Sequence, residues 1–95
     1  MLDAAQLEQF HNEGYLIFEA LISGPQLDHY VAVFDELVTQ GRQLTTSEGH
    51  FTLELDADGA PQPGLLHKVQ GVCVFEPRIL QLAQEAAIVE RVVAL

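Results

Sequence analysis

The sequence predicts a small α+β domain, and three features of its 95 residues lead to that class. Apolar side chains recur every three to four residues near both ends of the chain, as in amphipathic helices. Phe51 to Leu55 alternates apolar and polar residues, which is typical of a half-buried strand. Asp56 to Gly64 is rich in Asp, Gly and Pro, so a hairpin-like turn should follow that strand. A chain of this length holds one modest core.

The first helix is predicted from about Ala4 to Glu13. Asp3 and Gln6 have the spacing of a capping box, in which each side chain accepts a hydrogen bond from the other residue's backbone. Gly14 can take the left-handed conformation that ends a helix. Tyr15 to Phe18 is aromatic and β-branched, which predicts a short strand directly after it.

A second helix is predicted from Pro25 to Gly41, with the glycine ending it. Ser23 and Gly24 precede the proline, and proline is favoured in the first turn, where its missing N–H donor is not needed. From Arg42 to His50 the apolar period is lost, which predicts a mobile loop. The apolar stripe predicted to face the core consists of Leu27, Tyr30, Val31, Phe34, Leu37 and Val38.

The last third of the chain contains one ambiguous segment and two predicted helices. Leu65 to Val74 fits a helical period but is rich in valine, so we expect an irregular segment with helical turns, with a strand as the alternative. Pro77 opens a helix, and a second apolar series follows Glu85. No glycine or polar cap closes that series before Leu95, as in a chain cut within an element.

Charge and cysteine content narrow the classes of partner and compartment. The formal net charge is -10, and the chain has four cations, so nucleic acid and anionic membranes are poor partners. Cys73 is the single cysteine, and its apolar neighbours predict a buried thiol in a reducing compartment. Neither a secretory signal nor an apolar run near the roughly 20 residues of a spanning helix is present. We therefore expect a cytoplasmic protein.

Two segments resemble one protein family. FHNEGYLIFEALISGPQLDHYVAVFDELV, from Phe10 to Val38, and HKVQGVCVFEPRILQLAQEAAIVERVV, from His67 to Val93, resemble the N-terminal part of the phytanoyl-CoA dioxygenase family. Members are oxidoreductases that use non-haem Fe(II) and 2-oxoglutarate. The resemblance implies that residues 1–95 form a single incomplete domain, the N-terminal helical and short-strand segment of a double-stranded β-helix (jelly-roll, cupin-like) oxygenase. The catalytic barrel is then expected after residue 95.

By that resemblance, the parent protein is a metal-binding dioxygenase that hydroxylates a small organic substrate and releases succinate and CO2. Halogenation in place of hydroxylation stays open, as does the identity of the substrate. The iron of such enzymes needs two histidines and a carboxylate, the first two as an H-x-D or H-x-E pair. His11 and Glu13 have this spacing but lie on a predicted helix, where residues two apart point about 200° away from each other. We therefore assign no metal ligand and no catalytic residue within these 95 residues, and this segment alone should bind neither cofactor stably.

One residue is a candidate for contact with the cosubstrate. Lys68 is followed by Val69 and Gln70, and a lysine at the matching point of the family is likewise followed by an aliphatic residue and a glutamine. By that resemblance, Lys68 is the candidate for a 2-oxoglutarate contact near the cosubstrate mouth. A surface lysine is the simpler interpretation. His67 is interpreted as a structural residue, and Arg78 as an ion-pair partner of an acid such as Glu76.

A function of another class stays open. The chain could be a small acidic α+β interaction module without catalytic activity, which pairs with another protein through the apolar faces of its helices. Cys73 and the two serines lack the neighbours that nucleophilic catalysis requires.

Overall fold

A computed structural model describes residues 2–95 and confirms the α+β class, with five helices and one two-stranded antiparallel sheet in that range. The elements, in chain order, are α1 (Ala4–Glu13), α2 (Gly24–Arg42), β1 (Phe51–Leu55), β2 (Pro61–Val69), α3 (Val72–Phe75), α4 (Pro77–Ala83) and α5 (Ala86–Ala94). The long helix α2 lies across the β1–β2 hairpin and also contacts α4. The core therefore forms where one helix covers one face of a hairpin.

The core is small and centres on α2. Val33 and Leu37 of α2 pack with Phe51 of β1 and Ile79 of α4 in one buried cluster. Leu53, the next inward-facing residue of β1, is only 1% exposed. Each of the three elements contributes an apolar face that would otherwise meet water, and burying such a side chain is worth about 1.5–3 kcal/mol.

The first helix was predicted correctly with both of its ends. The Gln6 N–H donates to Asp3 Oδ1 at 2.8 Å, and the Asp3 N–H donates to Gln6 Oε1 at 3.0 Å. Gly14 has φ +80° and its N–H donates to the Phe10 carbonyl, so the helix ends as expected. The predicted strand at Tyr15 to Phe18 is wrong, because this segment has no hydrogen-bonded neighbour strand among the described residues.

The predicted limits of α2 are nearly right, but the role of Gly41 was wrong. Gly41 lies inside the helix, which continues to Arg42, and it is buried. A Cβ at this position would lie 2.8 Å from both Cδ atoms of Leu66 and 3.1 Å from Phe51 Cδ1. Gly41 is therefore the point where the helix approaches the hairpin most closely, and the helix does not end there.

The predicted apolar stripe of α2 was wrong in part. The buried residues of the helix are Tyr30, Val33, Leu37 and Gly41, so the core-facing side is rotated from the prediction and includes Val33. Leu27, Val31 and Phe34 are exposed instead. The helix is apolar over a wider arc than one hairpin can cover, and sequence periodicity alone does not say which part of such an arc is covered.

The segment from Leu65 to Val74 also differs from the prediction. Its first five residues belong to β2 and only Val72–Phe75 is helical, so the alternative of a strand applies to the first half. The predicted turn at Asp56 to Gly64 is confirmed in its first half, where Asp56 Oδ1 accepts hydrogen bonds from the N–H groups of Asp58 and Ala60, whereas Pro61 to Gly64 belongs to β2. The two helices after Pro77 are confirmed as α4 and α5, while Cys73 is exposed on the short α3 and not buried.

The molecule is elongated. Its Cα radius of gyration is 17.7 Å, against about 12 Å for a compact domain of this length. Neither α1 nor α5, both described throughout, buries a side chain, so the two terminal helices lie outside the core. Residues 2–95 form no helix that is both long enough and apolar enough to cross a bilayer.

Candidate functional site on the hairpin

A β-bulge places two polar side chains of β2 on the solvent face of the hairpin. Thr52 pairs with Lys68 and Leu53 pairs with Leu66, so His67 is an extra residue between two successive pairs. Leu53 and Leu66 face α2, whereas His67 and Lys68 are both exposed. A bulge reorients side chains in this way because it breaks the strict alternation of the strand.

The solvent face of the hairpin forms a shallow groove of about 400 Å³. Its polar side chains come from neighbouring positions on the two strands, because Thr52 and Glu54 alternate with the buried Leu53 on β1. We call this surface the hairpin groove; its lining residues are Thr52, Leu53, Glu54, Leu55, His67 and Lys68.

Glu54 and His67 form a pair across the hairpin groove. The His67 Nδ1 atom lies 2.8 Å from Glu54 Oε1, and both side chains are about half exposed. A pair of this exposure contributes little to stability because solvent screens it. Its main effect is to hold the His67 ring toward β1, and this confirms the expectation that His67 is a structurally satisfied residue.

Lys68 is exposed and lies directly opposite Thr52, on the same face of the sheet. Side chains paired in this way have Cβ atoms about 5 Å apart. Among residues 2–95, no ion pair to an acidic side chain involves Lys68. An ammonium group beside a hydroxyl offers two kinds of hydrogen-bond donor, and a carboxylate is the acceptor that matches both.

Two of the other cations are already engaged, in contrast to Lys68. Arg78 donates to Glu76 Oε1 at 2.6 Å and to Glu36 Oε2 at 2.7 Å, as the sequence led us to expect for Glu76. These hydrogen bonds raise the pKa of Arg78 and lower the pKa of the Glu76 carboxyl. The Arg91 guanidinium lies 5.2 Å from the centre of the Phe18 ring and donates to the Ala87 carbonyl at 2.7 Å.

The remaining histidines are dispersed. His11 is exposed near the end of α1, and His29 is exposed on α2. The His50 ring stacks on Phe75, with ring centres 4.2 Å apart, and its Nδ1 lies 2.9 Å from the Gln70 carbonyl oxygen. The described part of the chain contains no group of three His, Cys, Asp or Glu side chains placed to hold a metal ion. These residues therefore do not fit an iron centre by themselves.

Sequence reasoning identified Lys68 but missed Thr52 and Glu54 as its neighbours in the hairpin groove. The alternation of β1 places Thr52 and Glu54 on one face and could have indicated them. The bulge at His67 leaves no such signal, because it depends on how β2 pairs with β1.

Comparisons with protein-family models, with curated proteins and with solved structures return no match for this chain.

Proposed function

We propose that this chain is the N-terminal part of a cytoplasmic Fe(II)- and 2-oxoglutarate-dependent dioxygenase, an oxidoreductase that hydroxylates a small organic substrate. Within it, the hairpin groove binds one carboxylate of 2-oxoglutarate. The observation that carries the proposal is the position of Lys68, exposed beside Thr52 and free of acidic partners among residues 2–95. An exposed free thiol at Cys73 fits a reducing compartment.

In this function, the residues of the hairpin groove bind and orient the cosubstrate. The Lys68 ammonium attracts the carboxylate, and the Thr52 hydroxyl donates a second hydrogen bond to it. Glu54 would repel the same carboxylate, and its Oε1 atom is engaged by His67 Nδ1 at 2.8 Å, which offsets part of that repulsion. Residues of the parent protein outside this segment would hold the iron, which would supply the oxidative chemistry together with 2-oxoglutarate.

The proposed architecture places a double-stranded β-helix, the jelly-roll of this enzyme class, after residue 95. The exposed surface supports this proposal: it amounts to 6,679 Å², against about 5,400 Å² for a compact monomer of 10.5 kDa. Much of the excess is apolar, including Ile17 at 77% and Val93 at 80% exposure. Surfaces of this kind are usually covered by further protein.

The first test is the gene sequence downstream of the Leu95 codon. The proposal expects an H-x-D or H-x-E pair, then a distal histidine and an arginine about ten residues beyond it, within the same reading frame. A stop codon at this point, or a continuation without such ligands, would overturn it. The interaction module would then be the better interpretation.

The second test measures cosubstrate affinity in the complete enzyme. Lys68→Met should weaken 2-oxoglutarate binding about 10- to 100-fold, because a hydrogen bond to a charged group is worth about 1.5–3 kcal/mol. Lys68→Arg should recover part of the affinity, since the charge is kept. Arg42→Met, which removes another exposed cation, is the matched control and should leave the affinity unchanged. Equal affinities for Lys68→Met and the native enzyme would rule out the assigned contact.

A further inference from the structure

An apolar stripe on α2 lies uncovered beside the core. Leu27, Val31 and Phe34 are 43%, 48% and 42% exposed, which is high for large apolar side chains on the longest helix of the described chain. Their spacing of i, i+4 and i+7 aligns them on one face over about 10 Å of helix. We call these three residues the α2 stripe. The adjoining face of the same helix carries the buried residues Tyr30, Val33 and Leu37. The α2 stripe therefore extends the apolar surface of the helix beyond the part that the core covers.

Carboxylates flank the α2 stripe on both of its long sides. Asp28 and Asp35 follow the stripe residues Leu27 and Phe34 directly, so they lie about 100° around the helix on the same side. On the other side lies Glu85, which accepts a hydrogen bond from the Tyr30 hydroxyl. The helix has no Lys or Arg before Arg42, its last residue. The surface is therefore apolar along its axis and acidic along its edges.

This charge pattern argues against a second copy of the chain as the occupant. Two α2 stripes packed together would bring Asp28, Asp35 and Glu85 of each copy against the same groups of the other. Like charges placed opposite each other across an interface cost free energy, and each chain already carries a net charge of -10. A partner with basic edges would gain from the same arrangement.

The α2 stripe has the exposure and the spacing of a surface that binds a helix. Each of its three side chains is more than 40% exposed. Recognition of an amphipathic helix through residues at i, i+4 and i+7 is a common mode of binding.

We propose that the α2 stripe docks an amphipathic helix of another polypeptide, whose apolar residues are flanked by Lys and Arg. The apolar side chains of this partner pack between Leu27, Val31 and Phe34, and its cations pair with Asp28, Asp35 and Glu85. This inference goes beyond the proposed oxygenase function and does not depend on it.

The test uses two designed helical peptides of equal length, with the same leucine stripe and with either lysine or glutamate at the flanking positions. Fluorescence anisotropy with labelled peptide measures their affinity for the chain at low and at physiological salt. The lysine peptide should bind at least tenfold more tightly than the glutamate peptide, and its affinity should fall as salt rises. The double variant Asp28→Lys/Asp35→Lys should reverse the preference between the peptides.

A second variant separates docking from plain charge attraction. The double variant Val31→Ser/Phe34→Ser leaves the net charge unchanged. It should lower the affinity for the lysine peptide at least tenfold, because the apolar contact is lost. Val74→Ser is the matched control, since Val74 is 85% exposed on α3 outside the stripe, and it should bind as the native chain does. Circular dichroism melts of each variant show that the fold persists.

Four outcomes would overturn the proposal. The first is equal binding of the two peptides, and the second is unchanged binding by Val31→Ser/Phe34→Ser. The third is self-association in sedimentation experiments that this double variant abolishes, since a second copy would then be the occupant. If a longer natural chain fails to bind the lysine peptide while residues 1–95 bind it, the chain's own continuation covers the stripe. That result would also refute a separate partner while leaving the oxygenase function intact.

Discussion

The close packing of α2 on the hairpin depends on the missing side chain of Gly41. The Leu66 side chain occupies the space where a Cβ would stand, and Phe51 lies beside it. Glycine inside a helix costs about 1 kcal/mol relative to alanine, so its presence here needs a compensating gain. That gain is the direct contact of the helix backbone with two apolar side chains of the sheet.

Gly41→Ala should therefore destabilise the protein even though alanine is the better helix former. We expect a net loss of about 1 kcal/mol in the free energy of unfolding, because the new methyl group overlaps Leu66 and Phe51 while alanine regains about 1 kcal/mol of helix propensity. Urea denaturation followed by circular dichroism measures it. In the double variant Gly41→Ala/Leu66→Ala the overlap with Leu66 is gone, so its loss should be smaller than the sum of the two single losses. Strict additivity would show that the two residues do not compete for space.

Short-range features at this scale were predictable from sequence. The capping box of Asp3 and Gln6 and the left-handed Gly14 each depend on residues within one helical turn, and both were predicted. Gly41 was misread as a helix end because glycine has two common uses in helices. Only the position of Leu66, 25 residues later in the chain, decides between them.

Two side-chain links join the helical elements to each other. Arg78 at the start of α4 connects to Glu36 of α2, and it also bonds Glu76 next to it. Tyr30 of α2 donates a hydrogen bond to Glu85, the residue that precedes α5. Each link holds a carboxylate in its ionised form, and the pKa values of Glu76 and Glu85 are lowered as a result.

These lowered pKa values predict how stability responds to acid. Above the ordinary value of 4.5 both carboxyls are ionised in the folded and unfolded states, and the stabilisation is fully present. As the pH falls below 4.5, the unfolded chain binds protons first, so stability is lost. Tyr30→Phe removes the largest cause of the lowered pKa of Glu85. It should therefore reduce stability at neutral pH, and stability should then fall less steeply as the pH drops below 4.5.

Urea denaturation at pH 7, 4.5 and 3 tests this prediction. Tyr15→Phe is the matched control because the Tyr15 ring is 54% exposed and no hydrogen bond is found for its hydroxyl within residues 2–95. It should follow the native pH dependence. If the unfolding free energy of Tyr30→Phe depended on pH as that of the native chain does, the hydrogen bond from Tyr30 would not be what lowers the pKa of Glu85.

Helices were easier to predict than strands in this chain. Three of the helices carry their own start signals in the sequence, which are Asp3 before α1, Pro25 in α2 and Pro77 in α4. A strand needs a partner, and Tyr15 to Phe18 has β-forming residues without one in the described range. The start of β2 includes two prolines and a glycine that read as turn residues, so its pairing with β1 was not visible.

The whole molecule consists of one small core with two terminal helices outside it. Six hydrophobic side chains are buried among the described residues, and none of them belongs to α1 or α5. The contact of Arg91 with Phe18 ties α5 to the segment that follows α1. The terminal helices are therefore held by few apolar contacts and should open more readily than the core.

Small-angle X-ray scattering tests this shape. The monomeric chain should give a radius of gyration near 17.7 Å, with terminal helices that keep their extended positions. A value near the roughly 12 Å of a compact domain would show that α1 and α5 fold back over the exposed apolar surface, including the α2 stripe. Measurements over a range of protein concentrations exclude a contribution from association.

The sequence by itself determined the helices α1, α2, α4 and α5, both ends of α1, the strand at Phe51, the acidic surface and the choice of Lys68 as a candidate. These features depend on neighbouring residues, whose spacing is fixed by helix and strand geometry. The tertiary structure alone decided which side of α2 is buried, why Gly41 is required, and how the bulge at His67 places Lys68 beside Thr52. The physical reason is that each of these features depends on contacts between residues far apart in the chain. The hydrophobic effect is non-directional, so a local sequence pattern shows that a side chain is apolar but does not specify what it packs against.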